Sequence, residues 1–166
     1  MKNGYRHEYK FLISRSSAEL LRRRLPGLME RDPHAGPAGQ YTIRSLYFDD
    51  FNASAFHEKV SGLCFRSKYR IRYYNYDPRV LKLERKEKHE SLTRKTAVPL
   101  TLAQAKALHG PTLPESAPDS PDLLRDLVEK IHREGLRPRV LVDYDRTPFI
   151  CRDGNTRITL DENLRT

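Results

Sequence analysis

The chain has 166 residues and a formal net charge of +9, from 31 Lys and Arg against 22 Asp and Glu. This length predicts one domain with a sizeable core, and the charge surplus favours anionic partners such as nucleic acid, phosphates or a membrane surface. The two cysteines, Cys64 and Cys151, form no CxxC pair, which argues against a disulfide framework or a zinc knuckle. With no visible signal peptide and no apolar run near the roughly 20 residues of a membrane span, we expect a cytoplasmic protein without a membrane segment.

The N-terminal part of the chain alternates predicted strands and helices. Residues 5–13 alternate aromatic or apolar with polar side chains, which predicts a strand. A capping box at residues 16–19 opens a helix with leucines at helical spacing. Residues 41–48 predict a second strand, and residues 53–60 a short helix that ends at Gly62.

Two hairpins are predicted in the rest of the chain. The first joins residues 64–76 to 79–88 through a turn at 75–78, and the second joins 137–150 to 155–161. Between them lie a helix capped by Thr101, a loop with four prolines at 110–121, and a longer helix capped by Ser120. Hairpins dominate and no GxGxxG or P-loop motif occurs, so we expect an α+β fold with an antiparallel sheet.

The segment FRSKYRIRY at residues 65–73 carries the most informative pattern. Four cations occupy every second position, namely Arg66, Lys68, Arg70 and Arg72. On a strand they all leave by one face, where like charges about 7 Å apart repel each other. A solvated face tolerates this repulsion, whereas an inward-facing row needs an anion to neutralise it.

Other predicted strands repeat the division into a charged and an apolar face. In LKLERKEK, leucines alternate with Lys82, Glu84, Lys86 and Lys88. The apolar faces are expected to pack on the leucine stripes of the helices. If the sheet curls, the charged faces line a groove or tunnel. The sequence therefore predicts an antiparallel sheet with one charged face, flanked by helices on its apolar face.

A tunnel lined by Arg and Lys suits phosphoryl transfer, which needs neutralised phosphate oxygens and in-line positioning. Glu8 and Glu84 either hold a divalent metal between phosphates or form salt bridges with neighbouring cations. Lys95 follows the first hairpin and either closes over a ligand or lies in a solvated loop. Arg146 lies in DYDRTPF, where the adjacent aspartates offer it internal partners.

The chain resembles the VTC (vacuolar transporter chaperone) polyphosphate polymerase domain, within the triphosphate tunnel metalloenzyme, or CYTH-like, superfamily. The matching segments occur in order and span most of the chain: RHEYKFLIS (6–14), YTIRSLYFDD (41–50), EKVSG (58–62), K-x-R-x-R (68–72), LERKEK (83–88), DYDRTPF (143–149) and TRITLDENL (156–164). Eukaryotic members of this family use ATP and a divalent metal, often manganese. The resemblance implies transfer of the γ-phosphate of ATP, or of another nucleoside triphosphate, to a growing polyphosphate chain with Mn²⁺ or Mg²⁺.

The resemblance also implies an antiparallel β tunnel, as an open or incomplete barrel, with flanking helices. It further implies roles for individual residues. It assigns catalytic contacts to the transferring phosphate to Arg70, Arg72 and Arg157, and substrate binding to Lys10, Lys68, Lys86, Lys95 and Arg146. Glu8 and Glu84 match acidic positions of the superfamily and are the expected metal ligands. Pyrophosphate and triphosphate are further expected ligands of the same cations.

Family members continue past the TLDENL-like strand with a strand that carries a Glu-x-Lys pair, which supplies a metal carboxylate. Because the sequence stops at Thr166, we expect residues 1–166 to form a single shortened domain whose main metal carboxylate lies beyond Thr166. An unclosed sheet would expose an edge through which a homodimer can form.

Three other functions are open at this point: a non-catalytic module that binds polyphosphate or triphosphate, a metal-dependent triphosphatase that uses water, and RNA binding. RNA readers usually expose aromatic side chains on the binding face. Here the aromatic residues mostly alternate with the cations and lie on the opposite face, so we expect no nucleic acid partner.

Overall fold

The computed structural model describes residues 4–110 and 115–166. Its strands are β1 Tyr5–His7, β2 Glu30–Arg31, β3 Tyr41–Asp49, β4 Phe65–Tyr74, β5 Asp77–His89, β6 Leu92–Leu100, β7 Arg137–Cys151 and β8 Thr156–Arg165. Its helices are α1 Arg15–Arg24, α2 Ser54–Val60, α3 Leu102–His109 and α4 Asp122–Glu134, with short 3₁₀ turns at Leu25–Gly27 and Pro33–Ala35. The described strand pairs are antiparallel, which confirms the predicted α+β class.

The chain divides into two compact units. The first unit comprises the described residues of Met1–Glu8 together with Arg44–Val142, and the second comprises Tyr9–Ile43 together with Asp143–Thr166.

In the first unit the strands lie in the order β1-β6-β5-β4-β3. Strands β4 and β5 are joined by Asn75 and Tyr76, which both have positive φ, at 50° and 57°. A two-residue turn of this kind matches the right-handed twist of the paired strands. The predicted hairpin is therefore present, with a tighter turn than residues 75–78 because β5 already begins at Asp77.

Strand β6 was absent from the prediction, which placed residues 91–95 after the hairpin without regular structure. It pairs with β5 from Leu81↔Leu100 to His89↔Leu92. Its apolar residues lie at its two ends, around the polar run at 93–96, so they do not alternate, and it contains Pro99, which weakens the strand pattern. The paired strand β5 supplies the hydrogen bonds that the pattern of β6 alone does not predict.

Strand β1 is shorter than the predicted strand over residues 5–13. Its last pair is His7↔Leu92, and the next position on the partner side belongs to the turn at Glu90 and Ser91. Strand β1 therefore ends opposite the first residue of β6, its described partner. The alternating pattern beyond it buries no apolar face, since Phe11 is 81% exposed.

The core of the first unit lies between the sheet and helices α3 and α4. Leu83 of β5 and Leu127 of α4 are fully buried there, with Tyr69 and Ile71 of β4. Helix α4 presents the predicted stripe of buried residues, which are Leu123, Leu124, Leu127, Val128 and Ile131. The predicted Ser120 cap is wrong, because the helix begins at Asp122 after an extended Pro121. Of the predicted loop at 110–121, residues 111–114 lie outside the described residues.

The second unit is built on the predicted hairpin of β7 and β8, with β2 paired to β7. Phe149 of β7 is fully buried and packs with Leu25 and Leu160. The N-cap of helix α1 lies two residues before the predicted capping box, because Ser14 accepts a hydrogen bond from the Ser17 amide at 3.1 Å.

None of the helices in the described ranges combines the length and the apolar character needed to cross a bilayer.

Candidate functional site

Alternate residues of β4, β5 and β6 place charged side chains on the face of the first unit opposite its leucine core. Across β4 and β5 the opposed pairs are Arg66↔Lys88, Lys68↔Lys86, Arg70↔Glu84 and Arg72↔Lys82. On β6, Lys95 lies opposite Lys86. We call these nine residues the cationic face, which contains eight cations and one carboxylate. The predicted alternation of a charged and an apolar face is therefore present on these strands.

Glu84 lies at the centre of the cationic face and is fully buried. Its Oε2 is 2.8 Å from Arg70 Nε and 2.6 Å from Arg70 Nη2, and its Oε1 accepts a hydrogen bond from Lys95 Nζ at 3.1 Å. Arg72 Nη1 lies 3.9 Å from Oε2. Burial raises the pKa of Glu84, but these cations outweigh it and hold the pKa below its ordinary value. The carboxylate is thus ionised and shared by three cations.

Strand β3 supplies two hydroxyls that hold the arginines of β4. Arg70 Nη1 donates to Tyr47 Oη at 2.9 Å, and Arg72 Nε donates to Ser45 Oγ at 3.0 Å. Ser45 is fully buried and Arg72 is 4% exposed. Neither hydroxyl was among the predicted site residues. The available signal was their alternation, since positions 45 and 47 of a strand share one face.

The lysines of the cationic face differ in how they are neutralised. Lys86 Nζ pairs with Glu8, and Lys95 Nζ pairs with Glu84. Half-buried Lys68 has no hydrogen bond or ion pair with any described residue of the protein. Burial lowers the pKa of Lys68, and the charge of Lys59 lowers it further. An anion bound beside Lys68 would relieve this repulsion.

The alternative that placed Lys95 in a solvated loop is wrong. Lys95 belongs to β6, and the strand fixes it beside Glu84. Glu8 lies directly after β1 and reaches Lys86 from there.

The second unit contains the other predicted cations, Lys10, Arg146 and Arg157. Arg157 lies opposite Ile150 and Asp161 lies opposite Arg146, so these side chains share one face of β7 and β8. Lys10 is exposed in the irregular segment between β1 and α1.

Both arginines of the second unit are held by carboxylates. Arg146 binds Asp161 through two parallel hydrogen bonds of 2.7 Å, from Nε and from Nη2. The adjacent aspartates of DYDRTPF are not its partners, because Asp145 accepts hydrogen bonds from Thr42 and Asn163 instead. Burial lowers the pKa of Arg146, yet the hydrogen bond with Asp161, together with the charges of Asp161, Tyr144 and Tyr41, outweighs this and raises it.

Arg157 Nη2 donates to Asp32 Oδ2 at 2.7 Å and to Tyr41 Oη at 2.8 Å. Asp32 is 6% exposed and also accepts a hydrogen bond from the His34 amide at 3.0 Å. Asp32 and Tyr41 were not among the predicted site residues. Their position far from Arg157 in the sequence gives no local signal of this contact.

A divalent metal held by the protein needs several oxygen ligands at one point. Within the described ranges, no group of three or more His, Cys, Asp and Glu residues is placed to hold one. Both oxygens of Glu84 are occupied by cations, and Glu8 is paired with Lys86. These two residues therefore do not fit a protein-held metal, and no step below depends on one.

Comparison with known proteins shows the family and the fold. The model of the VTC domain matches residues 5–166. The crystal structure of a putative adenylate cyclase from Bacillus halodurans is similar with a TM-score of 0.61 and 19% sequence identity, over 95% of this chain and 73% of that chain. At this identity the likeness establishes a common fold. No curated protein matches the sequence significantly. Since the family model covers nearly the whole chain, the protein belongs to the VTC domain family.

Proposed function

We propose that the cationic face binds the phosphate chain of a nucleoside triphosphate or of polyphosphate, and that the protein transfers the γ-phosphate of ATP to a polyphosphate end. The observation that carries the proposal is the set of eight cations around a single carboxylate on one face of β4, β5 and β6. Such a face neutralises non-bridging phosphate oxygens, which is the main requirement of phosphoryl transfer.

The chemistry needs no general base from the protein. A terminal oxygen of polyphosphate is already ionised and attacks the γ-phosphorus of ATP. The bond between this phosphorus and the β–γ bridging oxygen breaks, so ADP leaves and the polyphosphate grows by one unit. Arg70 and Arg72 would stabilise the charge of the transferring group, since arginine offers paired donors to phosphate.

The lysines of this face are suited to holding the rest of the chain. Lys68, Lys86 and Lys95 lie side by side across β4, β5 and β6. Neighbouring strands place them about 5 Å apart, so they can contact separate phosphate groups of one chain. For Lys10, Arg146 and Arg157 of the second unit, family membership supports the same class of ligand. Mn²⁺ or Mg²⁺ would enter as part of the substrate, bound to the phosphates of ATP.

Purified protein incubated with ATP and Mn²⁺ tests this function directly. Polyphosphate formation coupled to ADP release is the expected result. Release of orthophosphate from ATP or triphosphate without polyphosphate would identify a triphosphatase and overturn the polymerase proposal.

A binding module is the second candidate, favoured by the way Glu84 and Glu8 are occupied by cations rather than presented to a metal. Titration calorimetry with tripolyphosphate, with and without Mn²⁺, separates the two. Tight binding without metal, combined with no turnover of ATP, would favour the module. Absence of tripolyphosphate binding would refute both candidates.

A further inference from the structure

Glu84 is the one carboxylate among the nine residues of the cationic face. A carboxylate among cations weakens the attraction of the face for an anion, and burying it costs free energy unless its oxygens are satisfied. Both oxygens are satisfied here, with Oε2 beside Arg70 and Oε1 beside Lys95. A group placed in this way has a role other than direct contact with a phosphate.

The contacts determine which donors of Arg70 stay available. A guanidinium has five N–H donors in a fixed plane. Glu84 occupies the edge formed by Nε and Nη2, and Tyr47 accepts one hydrogen bond from Nη1. Two N–H groups remain, one on each terminal nitrogen, and they are the donors of Arg70 that phosphate oxygens can accept from.

The same carboxylate also limits repulsion between neighbouring cations. Arg70 and Arg72 are two positions apart on β4 and project from the same face. Both are largely buried, with side-chain exposures of 13% and 5%. Glu84 lies within 4.0 Å of both guanidinium groups, so its charge compensates the pair where water cannot.

We propose that Glu84 is a positioning residue that fixes Arg70, Arg72 and Lys95 in the arrangement in which they meet the phosphate chain. It acts through these cations and does not touch the substrate or a metal. The inference rests on the proposed function, because it assigns Glu84 a task in the same phosphate-binding face.

Simple electrostatics and positioning predict opposite results for one substitution. Glu84→Gln removes a negative charge from a cationic face, which by charge alone tightens the binding of an anion. If Glu84 positions the cations, the same change weakens binding, because Arg70 and Arg72 lose their common partner. The sign of the change therefore separates the two views.

The experiment measures tripolyphosphate binding by calorimetry in metal-free buffer for the wild-type protein, Glu84→Gln, Glu84→Asp and Glu87→Gln. Glu87 lies on the other face of β5 and pairs with Arg94. Glu87→Gln is therefore the matched control, because it removes one negative charge outside the cationic face. We expect about tenfold weaker binding for Glu84→Gln, as for the loss of one charge-assisted hydrogen bond. Glu84→Asp keeps the charge and is expected to recover part of the affinity. Glu87→Gln is expected to bind as well as the wild type or slightly more tightly.

A second readout does not depend on phosphate. The Nε–H proton of Arg70 is held by Glu84, so its NMR signal is expected to exchange slowly in the wild type and quickly in Glu84→Gln. Unchanged or tighter tripolyphosphate binding by a folded Glu84→Gln would overturn the positioning role. If the wild type binds no tripolyphosphate, the proposed function fails, and the exchange rate alone decides whether Glu84 fixes Arg70.

The same variants separate a metal-ligand role in the polymerase assay. A metal ligand would raise the Mn²⁺ concentration needed for half-maximal rate, and excess Mn²⁺ would restore activity. A positioning residue lowers kcat at saturating ATP and leaves the Mn²⁺ requirement unchanged. Rescue of Glu84→Gln by Mn²⁺ would contradict the inference.

Discussion

Replacing Arg70 with lysine separates the charge of this side chain from its geometry. The wild-type guanidinium is 13% exposed and contacts Glu84 and Tyr47 at 2.6–2.9 Å. A lysine keeps the positive charge but concentrates its three donors on one atom. The lysine can pair with Glu84, yet its three donors cannot also reach Tyr47 and offer two hydrogen bonds to phosphate.

The loss can be stated as a free energy of binding. A hydrogen bond to a charged group contributes about 1.5–3 kcal/mol. Loss of one such bond to phosphate weakens the dissociation constant by about 10- to 150-fold at 25 °C. We expect Arg70→Lys to weaken tripolyphosphate binding within this range, with a similar loss of kcat/KM if the protein is a polymerase.

Arg66→Lys is the matched control for this experiment. Arg66 lies on the same strand and the same face, but its guanidinium donates to the Leu63 carbonyl oxygen and contacts no carboxylate in the described part of the protein. We expect a change below about threefold. Calorimetry gives both dissociation constants, and thermal unfolding checks that both variants fold. Unchanged binding in both variants would show that charge alone determines binding, and equal losses in the two would show that the contacts of Arg70 with Glu84 and Tyr47 add nothing. Either result would refute the role given to the Arg70 geometry.

Three further predictions concern stability and the second unit. Leu127→Ala empties a fully buried position of α4 and is expected to lower the free energy of unfolding by about 2–5 kcal/mol in urea titration; a change below about 1 kcal/mol would contradict the packing. Burial raises the pKa of Glu84, but the neighbouring cations outweigh burial and hold this pKa below 4.5. The ionised carboxylate therefore stabilises the fold fully above pH 4.5, and this contribution is lost as the pH falls through the lowered pKa. Urea midpoints measured on acidification should therefore fall more steeply for the wild type than for Glu84→Gln, and parallel curves would exclude this contribution. Asp32→Asn removes the charged partner of Arg157 and is expected to slow phosphoryl transfer about tenfold, as judged by initial rates; an unchanged rate would exclude a role for this pair.

The faces of the central strands could be predicted from sequence because they depend only on the two-residue period of a strand. The cations of β4 and β5 alternate with apolar residues, and the register places them opposite one another. The same rule explains one error. Asp145 is adjacent to Arg146 on β7 and so leaves by the other face, whereas Asp161 lies opposite Arg146 on β8.

The remaining features depend on contacts between distant segments. Tyr47 and Ser45 became part of the site because β3 lies beside β4, which no local pattern specifies. Strand β6 has no regular alternation of apolar and polar residues and contains a proline, and it is a strand because β5 pairs with it. The end of β1 is likewise determined by where its partner turns, and not by its own alternating sequence.

The link between β4 and β5 makes the chemistry of the site sensitive to insertions and deletions. Tyr74 pairs with Asp77 across the turn at Asn75 and Tyr76. The next pair is Arg72 with Lys82, because a bulge between the two pairs shifts the register. Adding or removing one residue here would reverse the parity of every later position of β5. Lysines would then point at the leucines of α4, and Leu81 and Leu83 would lie among the arginines. In the evolution of this fold, length changes at this hairpin tip are therefore expected either in pairs of residues or together with a compensating change in the bulge.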